Sequence, residues 1–238
     1  MSEAPDRSAP RISAMFDAIA PRYDLLNHLL SAGIDRLWRK RAIRSLALTG
    51  REHVLDLCTG TGDLAIEALT ATPGAARVLG VDFSGAMLTL GLDKLRRRRL
   101  DREVLLVRGD AMTLPVASSS VDAVTIAFGI RNVDDREAAC REMLRVLKPG
   151  GRLAILEFAM PTTPVFRFVY LSYFRHVLPR LGRWISHHDT AYEYLPASVD
   201  AFEPDVFMDL LRKSGFAEVG ADPLTFSSVF LYTARRAS

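Results

Sequence analysis

The chain has 238 residues, of which 49% are hydrophobic and 25% charged, a make-up that excludes disordered, collagen-like and coiled-coil classes. The formal net charge is +3, from 31 basic and 28 acidic residues, so bulk charge gives no argument for nucleic acid. Two cysteines, Cys58 and Cys140, lie far apart without CxxC spacing, against a disulfide framework or a zinc ribbon and in favour of a reducing cytoplasm.

Met1 to Pro10 lacks the apolar run of a signal peptide, and no stretch approaches the roughly 18 uncharged apolar residues of a membrane span. Residues 1–12 read as a disordered tail and 13–238 as one domain. From Ser13 to Leu46 apolar residues recur at helical spacing, with breaks at Pro21 and Gly33, so N-terminal helices are expected over 13–49. After Gly50 short apolar runs alternate with helical stretches. Strands are expected at His53–Cys58, Val78–Phe83, Val104–Arg108, Val121–Phe128 and Leu153–Phe158, and helices at Asp63–Thr70, Gly85–Arg96 and Arg136–Leu147. Continuous apolar strands alternating with helices mean a parallel sheet covered on both faces, an α/β doubly wound core over 50–159. An aromatic-rich amphipathic insertion spans 160–202, either a plain packed helix or a wall over an apolar substrate. Over 203–238 a helix at Asp205–Ser214 and strands at Phe216–Val219 and Phe226–Thr233 complete seven strands, mostly parallel.

Ligands of such sheets bind at the carboxyl ends of the strands. The first strand ends in Asp56-Leu57-Cys58-Thr59-Gly60-Thr61-Gly62-Asp63, where glycines let a ligand approach the backbone and a helix N-terminus follows. Taken alone this loop also fits a dinucleotide fold. Asp56 separates the readings: a carboxylate there repels a pyrophosphate but attracts the ammonium or sulfonium of S-adenosylmethionine. The alternative for Asp56 is a loop-bracing carboxylate. Asp82, at the tip of the second strand, suits the ribose hydroxyls, and Asp110, after the third, suits the adenine amino group.

Longer motifs carry a resemblance. The segments are Met15-Phe16-Asp17-Ala18-Ile19-Ala20-Pro21-Arg22-Tyr23-Asp24-Leu25-Leu26-Asn27-His28, Trp38-Arg39, the Asp56 to Asp63 loop, Phe128-Gly129-Ile130-Arg131-Asn132-Val133, Arg145-Val146-Leu147-Lys148-Pro149-Gly150-Gly151, Leu156-Glu157-Phe158 and Ala191-Tyr192-Glu193-Tyr194-Leu195-Pro196. With these motifs the chain resembles the class I S-adenosylmethionine-dependent methyltransferases, with their Rossmann-like fold. Within that class it is similar to the menaquinone and ubiquinone C-methyltransferase family. The resemblance implies methylation of a ring carbon of a prenylated quinol, demethylmenaquinol to menaquinol first and a 2-methoxy-6-polyprenyl-1,4-benzoquinol as the alternative. It implies cofactor contacts at Thr61, Asp82, Asp110 and Ala111, with Asp56 and Gly60 in the loop and Tyr23 closing over the cofactor or packing in the core. Some members place a serine where this chain has Ala127, and Leu224–Phe230 departs from a glycine-containing version.

Arg131 is then the expected catalytic group, stabilising a developing phenolate or orienting a water, unless it pairs with Asp134 or Asp135. Asn132, His188 and Tyr192 are expected at the substrate, with helix capping as the alternative for Asn132 and a surface loop for His188. His187, His188 and Asp189 lack further ligands, so no metal is expected. Two basic clusters, Arg96–Arg99 with Arg102 and Arg36, Arg39, Lys40, Arg41 and Arg44, read as solvated faces or as transient contacts with an anionic membrane. The expectation is a cytoplasmic, peripherally membrane-associated enzyme with no nucleic-acid partner; a homodimer is one open arrangement. Competing readings are another small-molecule methyltransferase, an NAD-dependent oxidoreductase and a non-catalytic assembly subunit.

Overall fold

The computed structural model describes residues 17, 20, 31, 33–71, 77–161, 163–172 and 202–238. Helix α1 (Asp35–Ser45) leads into β1 (His53–Leu57), α2 (Asp63–Thr70), β2 (Arg77–Asp82), α3 (Gly85–Arg98), β3 (Val104–Arg108) and β4 (Val121–Ala127). A short 3-10 turn (Ile130–Asn132), α4 (Arg136–Val146), β5 (Leu147–Phe158), α5 (Pro164–Ser172), α6 (Pro204–Lys213), β6 (Phe216–Leu224) and β7 (Val229–Arg236) follow.

The seven strands form one sheet in the order β3-β2-β1-β4-β5-β7-β6. All pairs from β3 across to β5 are parallel, and β7 runs antiparallel to both its neighbours. The expected doubly wound, mostly parallel sheet is therefore present. Successive residues point to opposite faces: Val54 packs with Trp38 and Ile43 of α1, Leu64 and Leu69 of α2 and Leu95 of α3. Leu55 and Leu57 pack on the other face with Met143 of α4 and Phe207 and Leu211 of α6.

Two helices begin at side-chain caps. Ser84 Oγ accepts from Met87 N–H at the start of α3, and Asp135 accepts from Ala138 N–H at the start of α4. Asp135 thus does the capping that was an alternative for Asn132. The last strand starts at Val229 rather than Phe226. Thr225, Phe226 and Ser227 have φ of 44, 55 and 64°, a left-handed run that cannot continue a ladder. Ser228 N–H closes that turn on the Thr225 carbonyl, and Trp38 Nε1 donates to Thr225 Oγ.

Strand order reverses between β1 and β4, so the neighbouring loops diverge there and leave a crevice at the carboxyl edge. Because β7 starts opposite Phe158, the β6–β7 turn stands at that same edge.

Candidate active site

Directly after β1 the chain folds back on β2, with Thr59 N–H bonded to the Val81 carbonyl at 3.1 Å. Cys58, Gly60 and Gly62 all take positive φ there. Two other glycines let this loop lie close. A Cβ on Gly80 would stand 2.6 Å from Leu106 and 2.9 Å from Thr59 Oγ, and one on Gly91 of α3 would meet the Thr61 carbonyl at 3.2 Å.

The crevice holds an open cleft of about 790 Å³, its solvent-filled mouth included. It takes Gly60 from the loop, Asp82 and Phe83 after β2, Met87 from α3, and Asp110, Ala111 and Met112 after β3. Ala127 to Gly129 and Asn132 to Asp134 complete it from the β4 side. An adjoining cavity of about 370 Å³ is lined by Arg39, Asp56, Thr59, Thr61, Asp63 and Leu64. Cys58, Gly60, Ala127 and Phe128 face both.

Asp82 is buried and held by two backbone donors, Gly60 N–H on Oδ2 at 2.8 Å and Ser84 N–H on Oδ1 at 2.9 Å. Burial pushes its carboxyl above the usual range, against those bonds. Ser84 Oγ donates to Asp17 at 2.5 Å, which brings Asp17 near Asp82. Asp110 accepts from Met112 N–H at 2.8 Å, tightening the turn after β3.

Asp56 accepts from Thr59 Oγ at 2.5 Å and from Thr125 Oγ at 2.8 Å. Burial raises its carboxyl to about 6, with the threonine hydroxyls opposing the rise. It both braces the loop and faces the smaller cavity. Thr61 Oγ accepts from Lys94 Nζ at 2.8 Å, and the same ammonium pairs with Asp63.

The structure redraws Arg131. Its guanidinium does not meet Asp134 or Asp135; Nη1 pairs with Glu157 at 2.6 Å and donates to the Phe128 carbonyl at 2.6 Å. The side chain is buried 5.4 Å over the Phe158 ring and lines neither cavity. Asn132 does line the larger one. Tyr23, His188 and Tyr192, like His187 and Asp189, lie outside the described residues. Among the described residues no group of three His, Cys, Asp or Glu side chains could hold a metal ion.

Arg39 is a site residue the charge pattern concealed. Its neighbours in sequence suggest a surface cluster, but it is buried, pairs with Asp35 at 2.7 Å and Asp63 at 3.3 Å, and lines the smaller cavity. The signal was Asp35 one helical turn earlier on the same face. Glu157 was likewise visible as a lone acid inside the apolar run Leu153–Phe158.

A seven-stranded sheet with one antiparallel strand, carrying an acid at the tip of each of its first three strands, defines a class I methyltransferase fold. Solved structures share it. The [4+2]-cyclase SpnF superposes with a TM-score of 0.73 at 19% identity, over 98% of each chain. A Haemonchus contortus phosphoethanolamine N-methyltransferase 2 in complex with S-adenosyl-L-methionine gives 0.65 at 15% identity, over 84% of this chain and 52% of that one. The chain belongs to the ubiE/COQ5 methyltransferase family, which it matches over residues 5–236. It is 49% identical to a ubiquinone/menaquinone biosynthesis C-methyltransferase UbiE of Syntrophotalea carbinolica, over 93% of this chain and 92% of that one. It is 46% identical to a demethylmenaquinone methyltransferase of Thermus thermophilus, over 93% of this chain and all of that one (100%).

Proposed function

We propose that this methyltransferase moves the methyl group of S-adenosylmethionine to a ring carbon of a prenylated quinol, with demethylmenaquinol as its substrate and menaquinol as its product. The observation that carries the reading is the match to the family along nearly the whole chain, with relatives of that activity at 46–49% identity.

The two cavities suit the donor's two ends. Asp82 accepts hydrogen bonds from ribose hydroxyls, Asp110 accepts from the adenine amino group, and Phe83, Met87 and Ala111 give apolar walls. The smaller cavity offers a buried cation, Arg39, and a buried acid, Asp56, an arrangement that fits the zwitterionic amino-acid end. The loop at Gly60 and Thr61 joins the two. Bound there, S-adenosylmethionine supplies an electrophilic methyl group. The chain's own contribution is to hold the ring carbon in line and keep water out, which is worth on the order of 7–11 kcal/mol in well-aligned pairs.

A prenylated substrate resides in a bilayer, and one face of the protein suits contact with it. Phe168 and Phe226 are 73% and 70% exposed at the carboxyl edge, and Leu37 of α1 is 64% exposed. Arg36, Lys40, Arg41 and Arg44 flank Leu37 on α1, with Arg41 also 3.6 Å from Asp222. This face supports reversible contact with an anionic membrane. Arg96–Arg99, at the far end of α3, stand at the opposite edge of the sheet and take no part. No described helix is long and apolar enough to cross a membrane.

The test is anaerobic incubation with S-adenosylmethionine and, separately, a dithionite-reduced prenylated naphthoquinol or benzoquinol, following product mass. One methyl gained on the naphthoquinol is the expected result. Gain on the benzoquinol alone would move the enzyme to the ubiquinone pathway, and no gain on either, with the donor bound, would refute quinol methylation.

A further inference from the structure

We propose that Glu157 is a positioning residue for the cofactor cleft, acting through Arg131 on the wall formed by Phe128 and Gly129. Strand β4 ends at Ala127, paired with Leu156 of β5, and its last ladder bond runs from Phe128 N–H to the Leu156 carbonyl. Beyond that point the backbone turns sharply: Phe128 takes φ of 60°, a left-handed conformation that is unfavourable for a side-chain-bearing residue and needs support from outside the turn.

Glu157 supplies that support from the neighbouring strand. Its Oε1 accepts from Arg131 Nη1 at 2.6 Å and from Phe158 N–H at 2.8 Å, and its Oε2 accepts from Arg131 N–H at 3.1 Å. The same Arg131 Nη1 donates to the Phe128 carbonyl at 2.6 Å. One carboxylate therefore grips both ends of Arg131 and, through the guanidinium, the strained peptide. The Phe128 ring stacks on Phe158 at 4.4 Å, with Trp38 edge-on to both. Phe128 lines both cavities and Gly129, Asn132 and Val133 line the larger, whereas neither Glu157 nor Arg131 lines either. The pair stands behind the wall that these residues form. Glu157 is 0% exposed, so a lost charge there is not compensated by water.

Glu157→Gln keeps the shape but must turn an amide N–H toward either the guanidinium or the Arg131 N–H. The expected result is a rise of about tenfold or more in the Kd of S-adenosylhomocysteine, measured calorimetrically at a temperature where circular dichroism shows the variant fully folded. At saturating S-adenosylmethionine kcat falls far less than kcat/KM, and the pH profile of kcat keeps its wild-type shape. An unchanged Kd overturns the proposal: with a lower Tm alone the pair is merely structural, and with a collapsed kcat and a displaced pH profile Arg131 acts on the substrate. If Glu157→Gln fails to fold, the neutral pair Arg131→Met with Glu157→Leu takes its place; wild-type affinity in that variant overturns the proposal and weakened affinity supports it. Binding of S-adenosylhomocysteine is independent of the acceptor, so this test stands whatever becomes of the quinol reading.

Discussion

Asp56→Asn separates what the site needs from what the fold needs. Burial raises the Asp56 carboxyl from 3.8 to about 6 although two threonine hydroxyls favour its ionised form. The folded protein thus binds this proton more tightly than the unfolded chain does. The resulting stability is fully present below about pH 4 and is lost as pH rises through about 6. Above that, a shift of about two units corresponds to an ionisation penalty of about 3 kcal/mol. Asparagine is isosteric and neutral, and its amide can exchange one hydrogen bond with each of Thr59 and Thr125. With about 1 kcal/mol subtracted for imperfect geometry, the variant should be about 2 kcal/mol more stable than wild type at pH 7. The gain should vanish near pH 4.5. Glu52 works in the opposite direction, since bonds from the Thr49 region hold it at about 2, but it is common to both proteins and cancels in the difference. At the same time the affinity for S-adenosylhomocysteine at pH 7 should fall by about tenfold or more, because a charge-assisted bond to the ammonium is worth about 1.5–3 kcal/mol. Urea titrations at several pH values, paired with calorimetry, measure both. A stability difference that does not change between pH 4.5 and 7.5 would refute the argument.

Gly129→Ala would drive a Cβ into Cys58 Cβ and place it 3.0 Å from the Cys58 Sγ, so a loss of about 1–3 kcal/mol and weakened cofactor binding are expected. Cys58→Gly in the same chain removes both clashing atoms and suits φ of 54°, so the double variant should recover most of that loss; a double-mutant cycle without coupling would show that the clash is not the cause. Tyr232 is wholly buried and its hydroxyl has no hydrogen-bond partner among the described residues, so Tyr232→Phe should be neutral or stabilising by about 1 kcal/mol; a clear fall in Tm would reveal a partner for the hydroxyl. Replacing Phe168 and Phe226 by Ser should weaken sedimentation with anionic vesicles several-fold, while neutralising Arg96–Arg99 should leave it unchanged.

Apolar periodicity located the strands because buried parallel strands have no polar face to confuse the pattern. Val121–Ala127 and Asp63–Thr70 lie where the pattern put them, and the edge strand Val104–Arg108 does too although its Leu105 is exposed. It failed where side chains from distant segments decide the backbone. Little local in Leu224-Thr225-Phe226-Ser227 announces a left-handed run: besides the Ser228 bonds to the Thr225 carbonyl, its support comes from Trp38, far away in the chain. The three acids were legible because strand tips are fixed by the fold. The partners of Arg131 were not: Asp134 and Asp135 are near in sequence, but the adjacent strand brings Glu157 nearer in space. Arg39 was misplaced because counting charges ignores the helix face on which each one sits.

The misread turn at Thr225 and the misread partners of Arg131 share a cause. Three non-glycine stretches at the carboxyl edge take positive φ, at Cys58, at Phe128 and at Thr225–Ser227. Each strained turn leaves the regular ladder early and so opens space beside the strand ends, at a cost of about 1–2 kcal/mol per residue that other groups must offset. Thr59 bonded to Asp56 braces the first, Glu157 with Arg131 braces the second, and Trp38 bonded to Thr225 braces the third. Trp38 also packs on Phe128, which joins the second support to the third. Residues that look chemical in a motif, such as Arg131, and residues that look like core, such as Trp38, are therefore doing the same task. They hold an edge whose shape the backbone alone would not keep, and a methyl donor can enter only because that edge is held open.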